Sequence, residues 1–250
     1  MTTYPNWIAT AGSIEALDAL DSVTAKHFFN KAAAFCAGGS LTSSPTPTGY
    51  AATPVLSYTS YAAFAADISA GNIKYAYKWV MYDPEKWSGT PQDEQNDPWT
   101  YMADFGTLAN TNGYNAILIP GLDLAYVTTS VNPLVWPETA DQWWQTYNLP
   151  GAAAGTSGQT QIYVMQNESD MPSGGQYKYM FHASKTLAQT ANSACKCGAE
   201  ISMANLTTVA SCVSQVESLA AYNPDYMYLA VAGDASDALT VMQDLKTAGY

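Results

Sequence analysis

A strand-then-helix pattern repeats along most of this 250-residue chain and limits the folds open to it. After residue 53, short β-branched or aromatic runs alternate with polar turns and with stretches of helical spacing. The runs that predict strands are residues 55–58, 76–82, 116–120, 161–166, 200–205 and 226–231. Regular alternation of this kind predicts a parallel sheet whose strands are joined by helical crossovers.

The stretches between these runs carry helix signals. They cover residues 61–70, 99–110, 140–147, 176–191, 209–221 and 237–248. Residues suited to cap or start a helix precede four of them, namely Ser60, Asp97-Pro98, Thr208 and Ser236.

The length and the β–α repeat together predict one domain over residues 1–250, a (β/α)8 TIM-type barrel. Residues 1–53 must then supply the remaining strands, although 13–37 reads as helix and 38–53 as loop. The barrel is therefore expected to be irregular at its N-terminal end. An open doubly wound parallel sheet is the alternative.

The charge balance excludes several classes of partner. The net charge is −12, and the nine basic residues are all lysine. A chain without arginine lacks the fork that pairs with phosphates and base edges, and its acidity repels polyanions. We expect no nucleic-acid partner, no membrane partner and, without a G-x-G-x-x-G or P-loop motif, no cofactor. A carbohydrate or another neutral small molecule fits better. The oligomeric state stays open.

Composition also favours a secreted or extracellular protein. Only 12% of residues are charged, and much of the polarity comes from Thr, Ser, Asn, Gln and Tyr. Residues 1–30 show no signal peptide, so this prediction requires the leader to be removed before residue 1. For Cys36, Cys195, Cys197 and Cys212, structural disulfides are the favoured interpretation. Buried free thiols or a metal site are the alternatives.

The most specific chemical feature is Asp83-Pro84-Glu85, at the end of a predicted strand. Residues two apart on a strand project to the same face, so the two carboxyl groups should lie side by side. Like charges at that distance leave one carboxyl protonated, which is what glycoside cleavage requires. The alternative is that both are solvated acids that cap the following helix.

Ligands of parallel α/β folds bind at the carboxyl ends of the strands, and polar or aromatic residues follow several of them here. The catalytic candidates are Glu85, Asp83, Asp123 and Glu168, and the substrate-binding candidates are Tyr82, Trp87, Trp136, Gln166, Asn167 and Asn205. Trp143-Trp144 is a further candidate for stacking against a sugar ring. These residues, with Asp234, should share one edge of the barrel.

A strand that ends in Tyr82-Asp83-Pro84-Glu85 and precedes aromatic-rich loops resembles the acid-bearing strand of secreted (β/α)-barrel glycoside hydrolases of the chitinase type. The resemblance is limited to this strand end, because Lys78 and Met81 occupy the positions of the two upstream aspartates of that pattern. It implies that Glu85 is the general acid and that Asp83 orients an acetamido group.

Three functions are compatible with these observations. The first is a glycoside hydrolase that acts on a neutral oligo- or polysaccharide, with Glu85 as acid and Asp83, Asp123 or Glu168 as the second carboxylate. The second is a carbohydrate-binding barrel without catalysis. The third is a structural or assembly protein whose low charge reflects packing against identical subunits.

Overall fold

The computed structural model describes residues 4–127, 140–166, 174–203, 208–231 and 233–250. Within these residues, eight parallel strands pair in sequence order and close into a barrel. The strands are β1 (Asn6–Thr10), β2 (Phe35–Gly38), β3 (Thr53–Tyr58), β4 (Trp79–Tyr82), β5 (Asn115–Leu118), β6 (Gln161–Met165), β7 (Lys196–Ser202) and β8 (Tyr226–Ala230). The TIM-barrel prediction is confirmed. The open-sheet alternative is wrong, because β1 pairs with β8.

Helices connect the strands around the outside. They are α1 (Ala11–Phe29), α2 (Tyr61–Ala70), α3 (Gln92–Asn96), α4 (Pro98–Thr111), α5 (Ala140–Thr146), α6 (Leu149–Ala154), α7 (Gly174–Ala191), α8 (Val209–Leu219) and α9 (Ala235–Thr247). Side-chain caps at Ser60, Asp97 and Thr208 are confirmed. The cap of α9 is Asp234 and not Ser236, since the Asp234 carboxylate accepts the Asp237 amide.

The N-terminal part supplies both missing strands. Residues 13–37 were predicted as one helix, but α1 ends at Phe29 and the apolar run that follows forms β2. Phe35 and Ala37 face the barrel interior, whereas Cys36 faces the helices. From its sequence, a short apolar run is compatible with a strand or with a buried helix. Here its pairing with β1 and β3 shows that it is a strand.

The core has two layers, separated by the barrel wall. Inside the barrel lies a cluster made mainly of branched and aromatic side chains, including Ile8, Val55, Met81, Ile117 and Val164. A larger cluster packs between the outer face of the strands and the helices. Because side chains alternate along each strand, these two clusters reveal which residues point toward the barrel axis.

All four cysteines are buried free thiols, so the disulfide prediction is wrong. All four belong to the outer cluster between the strands and the helices, where burial against apolar neighbours favours a neutral thiol. Burial raises the pKa of Cys36 to about 11 and that of Cys212 to about 11. A hydrogen bond between the Cys195 and Cys197 side chains lowers the pKa of Cys195 and raises that of Cys197.

Across the described residues, no helix is both long enough and apolar enough to cross a bilayer.

Candidate active site

The end of β4 divides its side chains between the two layers of the core. Trp79 and Met81 belong to the interior cluster, so Asp83 continues on the axial face of the same strand. Tyr82 points the other way and is fully buried between the barrel and the helices. Its ring stacks on Phe105 with centroids 4.9 Å apart. Tyr82 therefore packs against the protein itself and does not line the mouth of the barrel, contrary to the prediction.

Behind Tyr82, a buried carboxylate fastens the segment that follows β4. Glu94 Oε2 accepts hydrogen bonds from the Tyr82 hydroxyl and the Tyr61 amide, both at 2.7 Å. Its Oε1 accepts from Ser60 Oγ at 2.9 Å and from the Ala62 amide at 3.0 Å. The negative charge thus lies at the N-terminus of α2, where unpaired amides and the helix dipole favour it.

Glu85 begins a tight turn that immobilises its backbone. Its amide donates to Thr90 Oγ1 at 3.1 Å, and its carbonyl accepts the Trp87 amide at 2.9 Å. Gln95 Nε2 donates to the carbonyls of Trp87 and Thr90 at 2.8 and 2.7 Å. The half-buried Glu85 side chain is therefore presented from a fixed loop.

A like charge beside Glu85 comes from Asp123, which lies on the segment that follows β5. Burial, followed by the negative charge of Asp123, raises the pKa of Glu85, and a hydrogen bond with Gln166 partly opposes this. Asp83 faces the barrel axis, whereas Glu85 lies beyond the strand, next to the loop that follows β5. Glu85 thus has an acidic neighbour on the adjacent loop, and the side-by-side placement of Asp83 and Glu85 stays a prediction.

Gly121 makes the approach of these two acids possible. A Cβ atom at this position would lie 2.6 Å from Asp123 Oδ1 and 3.0 Å from Glu85 Cγ. The Gly121 amide donates to the Pro84 carbonyl at 2.8 Å, which holds the two loops together. Any larger residue would fill the space in which the carboxyl groups meet.

Asp123 is oriented by the backbone of the opposite loop. The Lys86 amide donates to its Oδ1 at 3.0 Å and to its Oδ2 at 3.1 Å. Burial raises the pKa of Asp123, while this amide and the Lys86 charge lower it. The carboxyl group of Asp123 is therefore fixed in place next to Glu85.

Sequence reasoning missed two polar side chains on the far side of the barrel. Glu200 on β7 and Tyr228 on β8 both point to the axis and are only 7% and 6% exposed. They are paired residues in the parallel ladder. The signal was present: Ala199 and Ile201 belong to the outer cluster, so the acid between them must face inward. The strand predicted from the sequence covers residues 200–205 and so leaves Ala199 outside the alternation.

The aromatic candidates separate into exposed and buried groups. Trp87 is 49% exposed, and its indole packs against Gly89, where an added Cβ would lie 2.8 Å from the ring. Trp143 and Trp144 are fully buried, so the expectation that they stack on a ligand is wrong. Trp144 instead donates to the Tyr163 hydroxyl at 2.8 Å.

Some predicted site residues lie outside the part of the chain that the structure describes. These are Trp136, Asn167, Glu168 and Asn205. Of the remaining candidates, Asp83, Glu85, Asp123 and Gln166 come together at the carboxyl end of the barrel, and Asp234 caps α9 after β8 on the same side. In the described ranges, no group of three or more His, Cys, Asp or Glu side chains is arranged to hold a metal ion.

Comparison with known proteins adds no family. No protein-family model and no curated protein matches the chain. Similar solved structures include the carboxyl transferase domain of Rhizobium etli pyruvate carboxylase with pyruvate, at a TM-score of 0.47 and 10% identity. Another structure of that domain has a TM-score of 0.45 and 9% identity. Each match covers 98% of this chain and 46% of the other, so this chain spans about half the length of those proteins.

Proposed function

We propose that this barrel hydrolyses a glycosidic bond in a neutral oligo- or polysaccharide, with Glu85 as the general acid. The observation that carries the proposal is the pairing of Glu85 with Asp123. A half-buried carboxyl with a raised pKa, placed next to a second acid at the carboxyl end of a barrel, is a recurring arrangement for proton donors. Barrel enzymes carry their catalytic groups at this end.

In this proposal each neighbour of Glu85 has a separate role. Asp123 favours the protonated form of Glu85 through like charge, which adds to the effect of burial in raising the pKa of Glu85. Gln166 holds Asp83 in position by a hydrogen bond and lowers the pKa of Glu85. The proton of Glu85 passes to the glycosidic oxygen as the bond to the anomeric carbon breaks.

A neutral sugar suits the surroundings of these acids better than an anionic ligand. Asp83, Glu85 and Asp123 place three acidic side chains at one edge of a chain whose net charge is −12. Trp87 offers an exposed indole two residues from Glu85, on a turn held by several hydrogen bonds. Flat aromatic faces bind the apolar faces of ligands at little entropic cost when they are already immobilised.

The test begins with a panel of neutral polysaccharides and aryl glycosides, compared for the wild type and Glu85→Gln. Glutamine keeps the size of the side chain but has no proton to transfer. We expect turnover of a natural glycoside to fall by about 10²–10⁴-fold, the usual contribution of general acid catalysis. A dinitrophenyl glycoside should lose much less, because its leaving group needs little protonation.

The matched control is Glu217→Gln, which makes the same change at an exposed position on α8. It should leave turnover of both substrates unchanged. Equal and small losses on both substrates in Glu85→Gln would contradict the acid role. Sugar binding without turnover by the wild type would favour the carbohydrate-binding barrel, and neither binding nor turnover would favour the structural or assembly role.

A further inference from the structure

We propose that Glu200 is the second carboxylate of this site, acting from the wall of the barrel opposite Glu85, and that Tyr228 positions it. The inference rests on the proposed glycoside hydrolysis. It adds Glu200, which the sequence analysis did not single out as a site residue. It also limits the role of Asp123 to its effect on Glu85.

The position of Glu200 follows from strand alternation and strand order. Its neighbours Ala199 and Ile201 pack in the outer layer, so the Glu200 side chain enters the barrel. β7 is separated from β4 by β5 and β6 on one side of the closed sheet. Glu200 therefore approaches the axis from a different wall than the acids that follow β4 and β5.

Tyr228 connects the two walls electrostatically. Burial, and then the negative charges of Asp83, Glu200 and Glu85, hold the pKa of Tyr228 well above its usual range. Acids from β7 and from the segment after β4 therefore both act on this phenol, which faces the barrel interior. A tyrosine that stays protonated can donate a hydrogen bond to a carboxylate, which fixes the carboxylate in one orientation.

Asp123 is poorly placed to be the second carboxylate. It lies beside Glu85, on the adjacent loop, and both of its oxygens already accept the Lys86 amide. In glycoside hydrolysis the two carboxyl groups flank the scissile bond, one on each side of the sugar. Glu200 meets this requirement by its position on another wall, while Asp123 keeps the proton on Glu85.

The burial of Glu200 also needs an explanation. A carboxylate is costly inside a barrel, where most interior positions hold branched or aromatic side chains. On the inward face of β7, Glu200 lies between Gly198 and Ser202, and an added Cβ at Gly198 would come within 2.7 Å of the Tyr226 carbonyl oxygen. Buried acids that approach a common point from different strands are typical of catalytic sites.

The chemical step balances with these groups. The bond between the anomeric carbon and the leaving oxygen breaks, its electron pair stays on that oxygen, and the Glu85 proton joins it. A new bond to the anomeric carbon forms from an oxygen lone pair, supplied by Glu200 or by a water that gives its proton to Glu200. Water is the co-reactant, and no oxidant or reductant is needed.

The test uses the full chain and whichever dinitrophenyl glycoside the wild type cleaves. Glu200→Gln should lower kcat by about 10³-fold or more, because a good leaving group does not replace the second carboxylate. Glu85→Gln should be much less impaired on this substrate. Sodium azide should restore turnover in Glu200→Ala, since the small anion occupies the vacated space and forms a glycosyl azide. Glu15→Gln, at an exposed position on α1, is the control.

Tyr228→Phe provides a second measurement that keeps the ring and removes the hydroxyl. We expect kcat to fall by about 10–10²-fold with KM nearly unchanged, because the loss affects orientation of Glu200 and not sugar binding. If Glu200→Gln does not fold, as judged by circular dichroism, this variant decides the question. Unchanged kcat in Tyr228→Phe would then overturn the inference.

The outcomes separate the two proposals. A wild type that cleaves no glycoside overturns the proposed function and this inference with it. An active wild type whose Glu200→Gln variant folds and keeps more than about a tenth of its kcat overturns the inference alone. Azide rescue of Glu200→Ala, with the turnover of Glu15→Gln unchanged by azide, supports it.

Discussion

Gln166 Nε2 donates a 2.6 Å hydrogen bond to Asp83 Oδ1, which joins the end of β6 to the end of β4 across β5. The same nitrogen lies 2.9 Å from the Ile119 carbonyl on the intervening segment. Gln166 also acts on Glu85, where it lowers the pKa that burial and Asp123 raise. One buried amide therefore holds Asp83 directly and opposes the rise in the pKa of Glu85.

The role of this amide can be tested with Gln166→Met, which keeps the length of the side chain and removes its donors. Without the hydrogen bond that lowers it, the pKa of Glu85 should rise further. Because a general acid works while protonated, the high-pH limb of kcat/KM should move to higher pH. We also expect kcat to fall, since Asp83 loses its hydrogen bond with Gln166. Gln189→Met on α7 is the control, and an unchanged pH profile would argue against this role.

The raised pKa of Glu85 predicts a pH dependence of stability. A carboxyl whose pKa is higher in the folded than in the unfolded chain binds more protons when folded. Its contribution is therefore complete below the unfolded value of about 4.3 and is lost as pH rises through the folded value. Urea denaturation from about pH 4 to about pH 7 should show a smaller decline in Glu85→Gln than in the wild type. Parallel curves would show that Glu85 is not perturbed.

Gly121 should tolerate no side chain. Gly121→Ala places a Cβ 2.6 Å from Asp123 Oδ1, so the acid pair must separate. Overpacking of this kind costs about 1–3 kcal/mol of unfolding free energy, and glycoside turnover should fall as Glu85 loses its neighbour. The control is Gly12→Ala in α1, where nothing lies within 4 Å of the added carbon. If both variants behave like the wild type, the two acids are not in contact at Gly121.

Glu94 should matter for stability more than for chemistry. Its carboxylate accepts hydrogen bonds from Ser60, Tyr61, Ala62 and Tyr82. In Glu94→Gln an NH2 group replaces one of the two accepting oxygens and faces groups that are themselves donors. We therefore expect a loss of about 2–4 kcal/mol in unfolding free energy. Glu217→Gln at an exposed site should change it by less than about 0.5 kcal/mol. A thermal or urea melt of each variant provides the comparison.

The thiols should be reduced and protected. Because Cys36, Cys195, Cys197 and Cys212 are free and buried, a thiol reagent should react slowly with native protein. After denaturation without reductant, all four should react. Fewer than four reactive thiols in freshly purified denatured protein would mean that a disulfide forms in solution, contrary to the structure.

Elements with a strong local signal could be predicted closely. The helix predicted for residues 61–70 coincides with α2, because Ser60 caps its start and Gly71, in the left-handed conformation, ends it. Strand β3 was predicted from its β-branched run but begins at Thr53, two residues earlier. Strand β2 was missed, since its four residues carry no periodicity that separates a strand from a helix end.

The sequence by itself determined the β–α order, and so that Asp83, Glu85, Asp123 and Gln166 follow strands whose carboxyl ends meet at one edge. Only the tertiary structure decided which acids are neighbours. Glu85 pairs with Asp123 because Gly121 leaves space between two loops, and Glu200 enters from β7 because its flanking residues pack outward. Distances across a closed barrel depend on strand register and packing, and residue spacing along one strand carries no information about either.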